Sequence, residues 1–149
     1  LPQTEDQAFI CGLLHDMGKI VLLSVDLDLT NKIADIVAQH RIRTTTVIEE
    51  ISIGISHSSI GKLIAEKWNF TEFLIQGIEC HHSPLMAKDE YRNIVYSTYL
   101  ANVFCGVESK KDEYSYIDNL VLEYLGIPDE AAAQALHQKL KELYDTQSA

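Results

Sequence analysis

Residues 8–23, AFICGLLHDMGKIVLL, constrain the fold more than any other stretch. The run is apolar on all sides, yet His15, Asp16 and Lys19 interrupt its middle. A helix that is apolar all round is expected to be buried. Ionisable groups inside it lose hydration and need charge partners, hydrogen bonds or a metal. The run falls short of the roughly 20 apolar residues that span a bilayer, and charges break it. A core helix carrying a polar site is the reading.

The 149 residues suffice for one domain with a real core. Only 7 Gly and 3 Pro punctuate the chain, so long helices are expected. The formal charge of -10 argues against a nucleic-acid surface, which runs on clustered Lys and Arg, and against docking on anionic membranes. An anionic small molecule remains compatible if a metal or a local basic group offsets the field. Cys11, Cys80 and Cys105 lie in apolar stretches with no zinc-ribbon or disulfide spacing, and read as reduced, buried thiols of a cytoplasmic protein. The chain opens LPQTED without an initiator Met, which reads as a piece of something longer.

The periodicities give an all-α chain of seven or eight helices. Thr4 starts a capping box with Gln7, the helix it opens is expected to break near Gly18 and continue to about Val25, and Thr30 caps a helix with Ile33, Ile36, Val37 and His40 on one stripe. TTTVIEEISIGIS is ambiguous: Val47, Ile48, Ile51 and Ile55 fit a helix, while ISIGIS alternates like a strand. The helical reading is preferred because no partner strand lies nearby. His57, Ile60, Gly61, Ile64 and Trp68 share a face, and Thr71 caps a helix that Pro84 terminates. Val95, Tyr99, Asn102 and Cys105 line a further helix, and Ala132, Leu136, Leu140 and Leu143 face inward on the last.

Three polar places stand out: the pair His15-Asp16, His57, and the pair His81-His82. Histidine and carboxylate together ligate borderline divalent ions such as Zn, Mn or Fe. Helical neighbours point about 100° apart, so two adjacent pairs suit a two-metal site better than one ion held by one pair. Two ions about 3.5–4 Å apart, bridged by a carboxylate such as Asp16, would clamp a phosphate and activate water. Both pairs stand near a helix C-terminus, whose partial negative charge favours a cation. The competing account is a polar knot, with Asp16 paired to Lys19 at i,i+3 and His15 on a backbone carbonyl. His57 also has an ordinary role as a cap or a neighbour of Trp68. His40 and His137 read as incidental, Tyr91, Tyr96 and Tyr99 as packing, and Glu49-Glu50 and Asp112-Glu113 as solvated acid.

Taken in order, HDMGK, SHSSIGKLIAEKWNF, IECHHSP and YLANVF resemble the HD superfamily. Specifically, residues 8–106 resemble the HDOD domain, the HD-related output domain of bacterial signalling proteins. The resemblance implies an HD-like multi-helix bundle, here without its N-terminal helices. In catalytic relatives of the HD-GYP type, metal ligands fall at positions matching His15, Asp16, His57, His81 and His82, and Lys19 matches a lysine able to face phosphate. Three departures weigh against catalysis. SPLMAKDEY replaces the GYP motif, Asn102 stands where such enzymes place an aspartate, and the upstream ligand-bearing helix is missing. A neutral amide oxygen is the poorer ligand. The resemblance implies a non-catalytic output module in contact with a sensor or receiver domain. A metal-dependent phosphohydrolase and a nucleotide-binding module without turnover are the alternatives.

Overall fold

The computed structural model describes residues 2–25, 27–40 and 45–147. Among them every regular element is helical: nine α-helices and three short 3-10 turns, with no strand. The chain divides into two compact units between Asn102 and Val103. The first unit holds α1 (Pro2–Leu14), α2 (Met17–Val25), α3 (Leu27–His40), α4 (Thr45–Ile53), α5 (His57–Lys67), α6 (Glu72–Cys80) and the start of α7 (Arg92–Glu108). The second holds the end of α7, then α8 (Asn119–Tyr124) and α9 (Glu130–Gln147).

In the first unit α5 is central. It packs against α2 on one side and α6 on another, while α1 lies on α6 and α4 leans on α5. Cys11, Ala65, Leu74, Ile75, Ile78 and Ile94 form the buried core, with Leu14, Met17, Phe70 and Phe73 against it. Two glycines set the spacing. A β-carbon at Gly18 would overlap the His57 carbonyl oxygen, so α2 meets the start of α5 only because that side chain is missing. A β-carbon at Gly77 would come within 2.6 Å of Cys11 Sγ, which seats α1 on α6.

The stretch 8–23 is not the uniformly buried helix that its composition implies. The break expected near Gly18 falls earlier, at a turn formed by His15-Asp16, which divides the stretch into α1 and α2; α2 ends at Val25 as expected, and each half buries one face. Cys11 and Leu22 are buried, whereas Phe9, Leu13 and Ile20 are each at least 70% exposed. The reason is that α1 meets α6 and α2 meets α3 and α5, each along a single side. By length and composition alone the segment Glu5–Ser24 is apolar enough to cross a membrane.

The ambiguous segment is helical. It ends at Ile53, and Gly54 adopts φ +88°, a conformation that suits glycine. The expected stripe is shifted, however: Val47 and Ile51 are exposed, while Ile48 and Ile53 are half-buried and Glu49 is buried. Ser56 then caps α5, its hydroxyl accepting from the Ser59 amide. Trp68, expected on the inner face with His57, is 61% exposed and touches Phe70 edge-on. It falls at the C-cap, where the helical stripe no longer follows the core. Thr71 occupies the N-cap of α6 without a side-chain hydrogen bond.

Helix α1 already begins at Pro2 and α3 at Leu27, so Thr4 and Thr30 lie inside helices and not at their caps. The side chains of Thr4, Thr30, Val37 and His40 lie outside the described residues. In the first unit Tyr96 and Tyr99 are buried as expected. In the second, Cys105 is exposed, because its side of α7 looks outward while Val103 and Phe104 are buried. Helix α9 is rotated from the expected register. Ala133 is buried, and Leu140 and Leu143 are about half exposed. His137 is not incidental there: its ring stacks on Phe104 at 4.4 Å, and its Nδ1 lies 2.8 Å from the Tyr114 hydroxyl.

Candidate metal centre

Each donor of the cluster sits at a helix end. His15 and Asp16 form the turn after α1, His57 is the first residue of α5, and His81 and His82 follow the last turn of α6. Ligand atoms of Asp16, His57, His81 and His82 all lie within 4.8 Å of one another. His57 and His81 are fully buried. Their Nε2 atoms face each other at 3.2 Å, and Asp16 Oδ1 lies 3.3 Å from the first and 3.5 Å from the second. His15 stands at the flank, its ring edge-on to His81 at 4.8 Å, outside the group of mutually close donors.

The far nitrogens explain why the near ones point inward. His81 Nδ1 lies 2.8 Å from the Ile78 carbonyl, and His15 Nδ1 lies 2.8 Å from the Gly12 carbonyl. His57 Nδ1 lies 2.7 Å from Glu49 Oε2, which also accepts from the His57 backbone amide at 2.8 Å. A carbonyl or carboxylate there requires Nδ1–H, leaving Nε2 as a lone pair on the neutral ring. Such outer acceptors are the usual support for metal-bound imidazoles. Lys19 closes the other side of Asp16, donating to Oδ2 at 2.7 Å.

The electrostatics follow from this crowding. Burial alone pushes the Asp16 carboxyl up, but His57, His81 and Lys19 together hold it well below the usual carboxylate range. Burial disfavours a charged His57, and the carboxylates of Asp16 and Glu49 more than offset it, so its value is raised. Burial and the neighbouring histidines lower His81, and they bring His82 down to about 2. Two imidazole lone pairs at 3.2 Å repel unless a proton or a metal cation stands between them.

The residues fit a divalent cation. Asp16 Oδ1, His15 Nε2 and His82 Nε2 are buried side-chain atoms with no hydrogen-bond partner. Buried polar atoms are rarely left so, because each costs its desolvation energy. Three imidazoles and one carboxylate suit a borderline ion such as Zn, Mn or Fe. Asn102 is half-buried on α7, and none of the cluster's described hydrogen bonds or ion pairs reaches it. Beside His82, a cleft of about 280 Å³ is bordered by Ser56, Ser59, Glu50, Glu79 and Ser83.

Of the candidates, the structure thus gathers Asp16, His57, His81 and His82, flanks them with His15, and places Lys19 on Asp16. Glu49, read from the sequence as solvated acid, is 4% exposed and belongs to the site. The only signal for it was its place one helical turn from Thr45 and Ile53, on the inner side of α4.

The chain is similar to known proteins in sequence and in fold. An uncharacterised protein of Treponema pallidum (strain Nichols) is 28% identical over 149 residues, which span 97% of this chain and 29% of that protein. A solved structure, described as a putative phosphohydrolase from Shewanella amazonensis SB2B, superposes with a TM-score of 0.64 at 24% identity, covering 90% of this chain and 50% of that one. That likeness establishes the shared fold. The sequence profile of the HDOD domain matches residues 1–84, more than half of the chain. With the HD and HH pairs meeting at one buried centre, this chain belongs to the HDOD domain family.

Proposed function

We propose that this chain is a cytoplasmic signal-output module that retains a divalent-metal site and acts through helix contacts with a neighbouring sensor or receiver domain, without turning over a substrate. The observation that carries it is the convergence of three histidines and Asp16, each of His57 and His81 with its far nitrogen already on an acceptor. Asp16, His57, His81 and His82 would hold the ion, with His15 adjacent. A bound ion would supply Lewis acidity and cross-link the ends of α1, α5 and α6. Asn102 in place of a carboxylate and SPLMAKDEY after the histidine pair support binding without catalysis. This chain covers only 29% of the Treponema protein and 50% of the Shewanella chain, which is compatible with a neighbouring domain for it to signal to.

Metal analysis of the purified protein, with calorimetry against Zn, Mn and Fe(II), tests the site. The expected outcome is one or two equivalents of metal, lost in His57→Ala, with no hydrolysis of phosphomonoesters or phosphodiesters. Turnover abolished by His15→Ala would overturn the non-catalytic reading, and absence of metal at the cluster in the full-length protein would remove the site.

A metal-dependent phosphohydrolase is the second reading. It is favoured by Lys19, whose ammonium group sits on the partly open side of Asp16, and by the description of the Shewanella protein. A nucleotide held without turnover is the third, and the hydroxyl-lined cleft beside His82 is where its ribose would fit.

A further inference from the structure

Glu49 is buried yet comes from α4, a helix that contributes no donor to the cluster. Both of its oxygens meet His57. Oε2 accepts from the His57 backbone amide at 2.8 Å and lies 2.7 Å from Nδ1, with Oε1 3.0 Å from the same nitrogen. The backbone bond fixes where α5 begins, and the ring bond fixes which way its first side chain turns. His57 has no other described partner for Nδ1, whereas His81 and His15 are oriented by carbonyls of their own helices. A local carbonyl moves with its histidine; a carboxylate from another helix does not.

We infer that Glu49 is the positioning residue of the centre: it holds His57 with Nδ1 protonated and Nε2 aimed at Asp16 and His81. Its carboxylate also supplies the negative charge that a cation held by mostly neutral imidazoles needs nearby. The affinity arm of this inference rests on the metal-site reading; the ring-orientation arm does not.

A plain capping role is the competing explanation, since an acceptor for the first amide of α5 stabilises that helix whatever the ring does. The test therefore reads the ring as well as the metal. Wild type, Glu49→Ala and Glu49→Gln are titrated with Co(II), followed by visible absorption, and the histidine rings are observed by nitrogen-15 NMR in metal-free protein. Loss of an outer partner typically costs about 10–100-fold in affinity, and Glu49→Ala is expected in that range. It should also lose the hydrogen-bonded His57 Nδ1–H signal. Glu49→Gln, which keeps an oxygen acceptor, is expected to keep that signal and lose less affinity. A folded Glu49→Ala with wild-type affinity and an unchanged ring signal would overturn the inference. If Glu49→Ala does not fold, Glu49→Gln decides: a displaced Nδ1 proton with unchanged affinity refutes positioning. If wild type binds no metal, the metal reading falls, and Glu49 stands or falls on the ring signal alone.

Discussion

Lys19 donates to Asp16 Oδ2 at 2.7 Å and leaves Oδ1 to His57 and His81. The carboxylate is thus split between a solvent-side ion pair and a buried cluster. Both side chains of the ion pair are more than a third exposed, so solvent screens the attraction.

Lys19→Met is expected to destabilise by under about 1 kcal/mol in urea denaturation. It should leave metal affinity nearly intact, whereas Asp16→Asn should weaken it strongly. Should Lys19→Met abolish metal binding, the ion pair would have to be reclassified as part of the site.

Gly18 and Gly12 make opposite predictions from the same substitution. A β-carbon at Gly18 overlaps the His57 carbonyl and approaches the Gly61 amide nitrogen at 2.8 Å. The helices must separate, at a cost of about 1–3 kcal/mol, and Asp16 withdraws from His57, so metal affinity drops as well. Gly12 has nothing within 4 Å of its added carbon and lies exposed in α1. There Gly12→Ala should stabilise by about 0.5–1 kcal/mol. Thermal melts of the two variants check the pair.

These contrasts show what the sequence could and could not display. Histidine and aspartate at His15-Asp16, His57 and His81-His82 were legible because the residue types are rare in apolar stretches and their spacing is recognisable. The all-α class was legible from the periodicities. Glu49 was not, since an acidic doublet in a short helix looks solvated whichever way the helix turns. With Val47 and Ile51 taken as the inner stripe, Glu49 falls outside it; rotation by about one residue places it inside. The same one-residue error moved Leu140 and Leu143 outward on α9. Periodicity identifies a helix readily, but only packing decides which face an isoleucine-rich helix buries.

Thiol reactivity offers an independent check of packing. Cys105 is exposed, while Cys11 and Cys80 are buried. Burial pushes the Cys11 thiol up to about 12 and the Cys80 thiol, also beside Glu79, to about 11. A disulfide reagent at pH 8 should modify one thiol quickly and all three only after denaturation. A raised value also fixes a pH trend. The unfolded chain releases the Cys11 proton near the ordinary value of 9.0 and the native chain does not, so stability falls as pH rises above that value. Cys11→Ala should flatten the alkaline decline measured by urea midpoints, although it lowers stability at neutral pH.

In the second unit, Tyr114→Phe removes the hydroxyl from His137 and should cost about 0.5–1.5 kcal/mol. Metal binding is expected to be unaffected. His137→Ala would lose the Phe104 stack in addition, and a double-mutant cycle on calorimetric melts separates the two contributions.

Asp16, His57, His81 and His82 stand where helices stop or start, none along a helical shaft. A donor on a shaft keeps its spacing to neighbours on that helix however the helix moves. Donors on separate ends have no such insurance, so a shift of α5 along its axis appears undiminished as a change in the distance from His57 to Asp16 or His81. If the centre holds a cation, it would therefore serve as a gauge of helix position: a displacement of one helix of the first unit would alter how well the ion is grasped, and the grasped ion would resist that displacement.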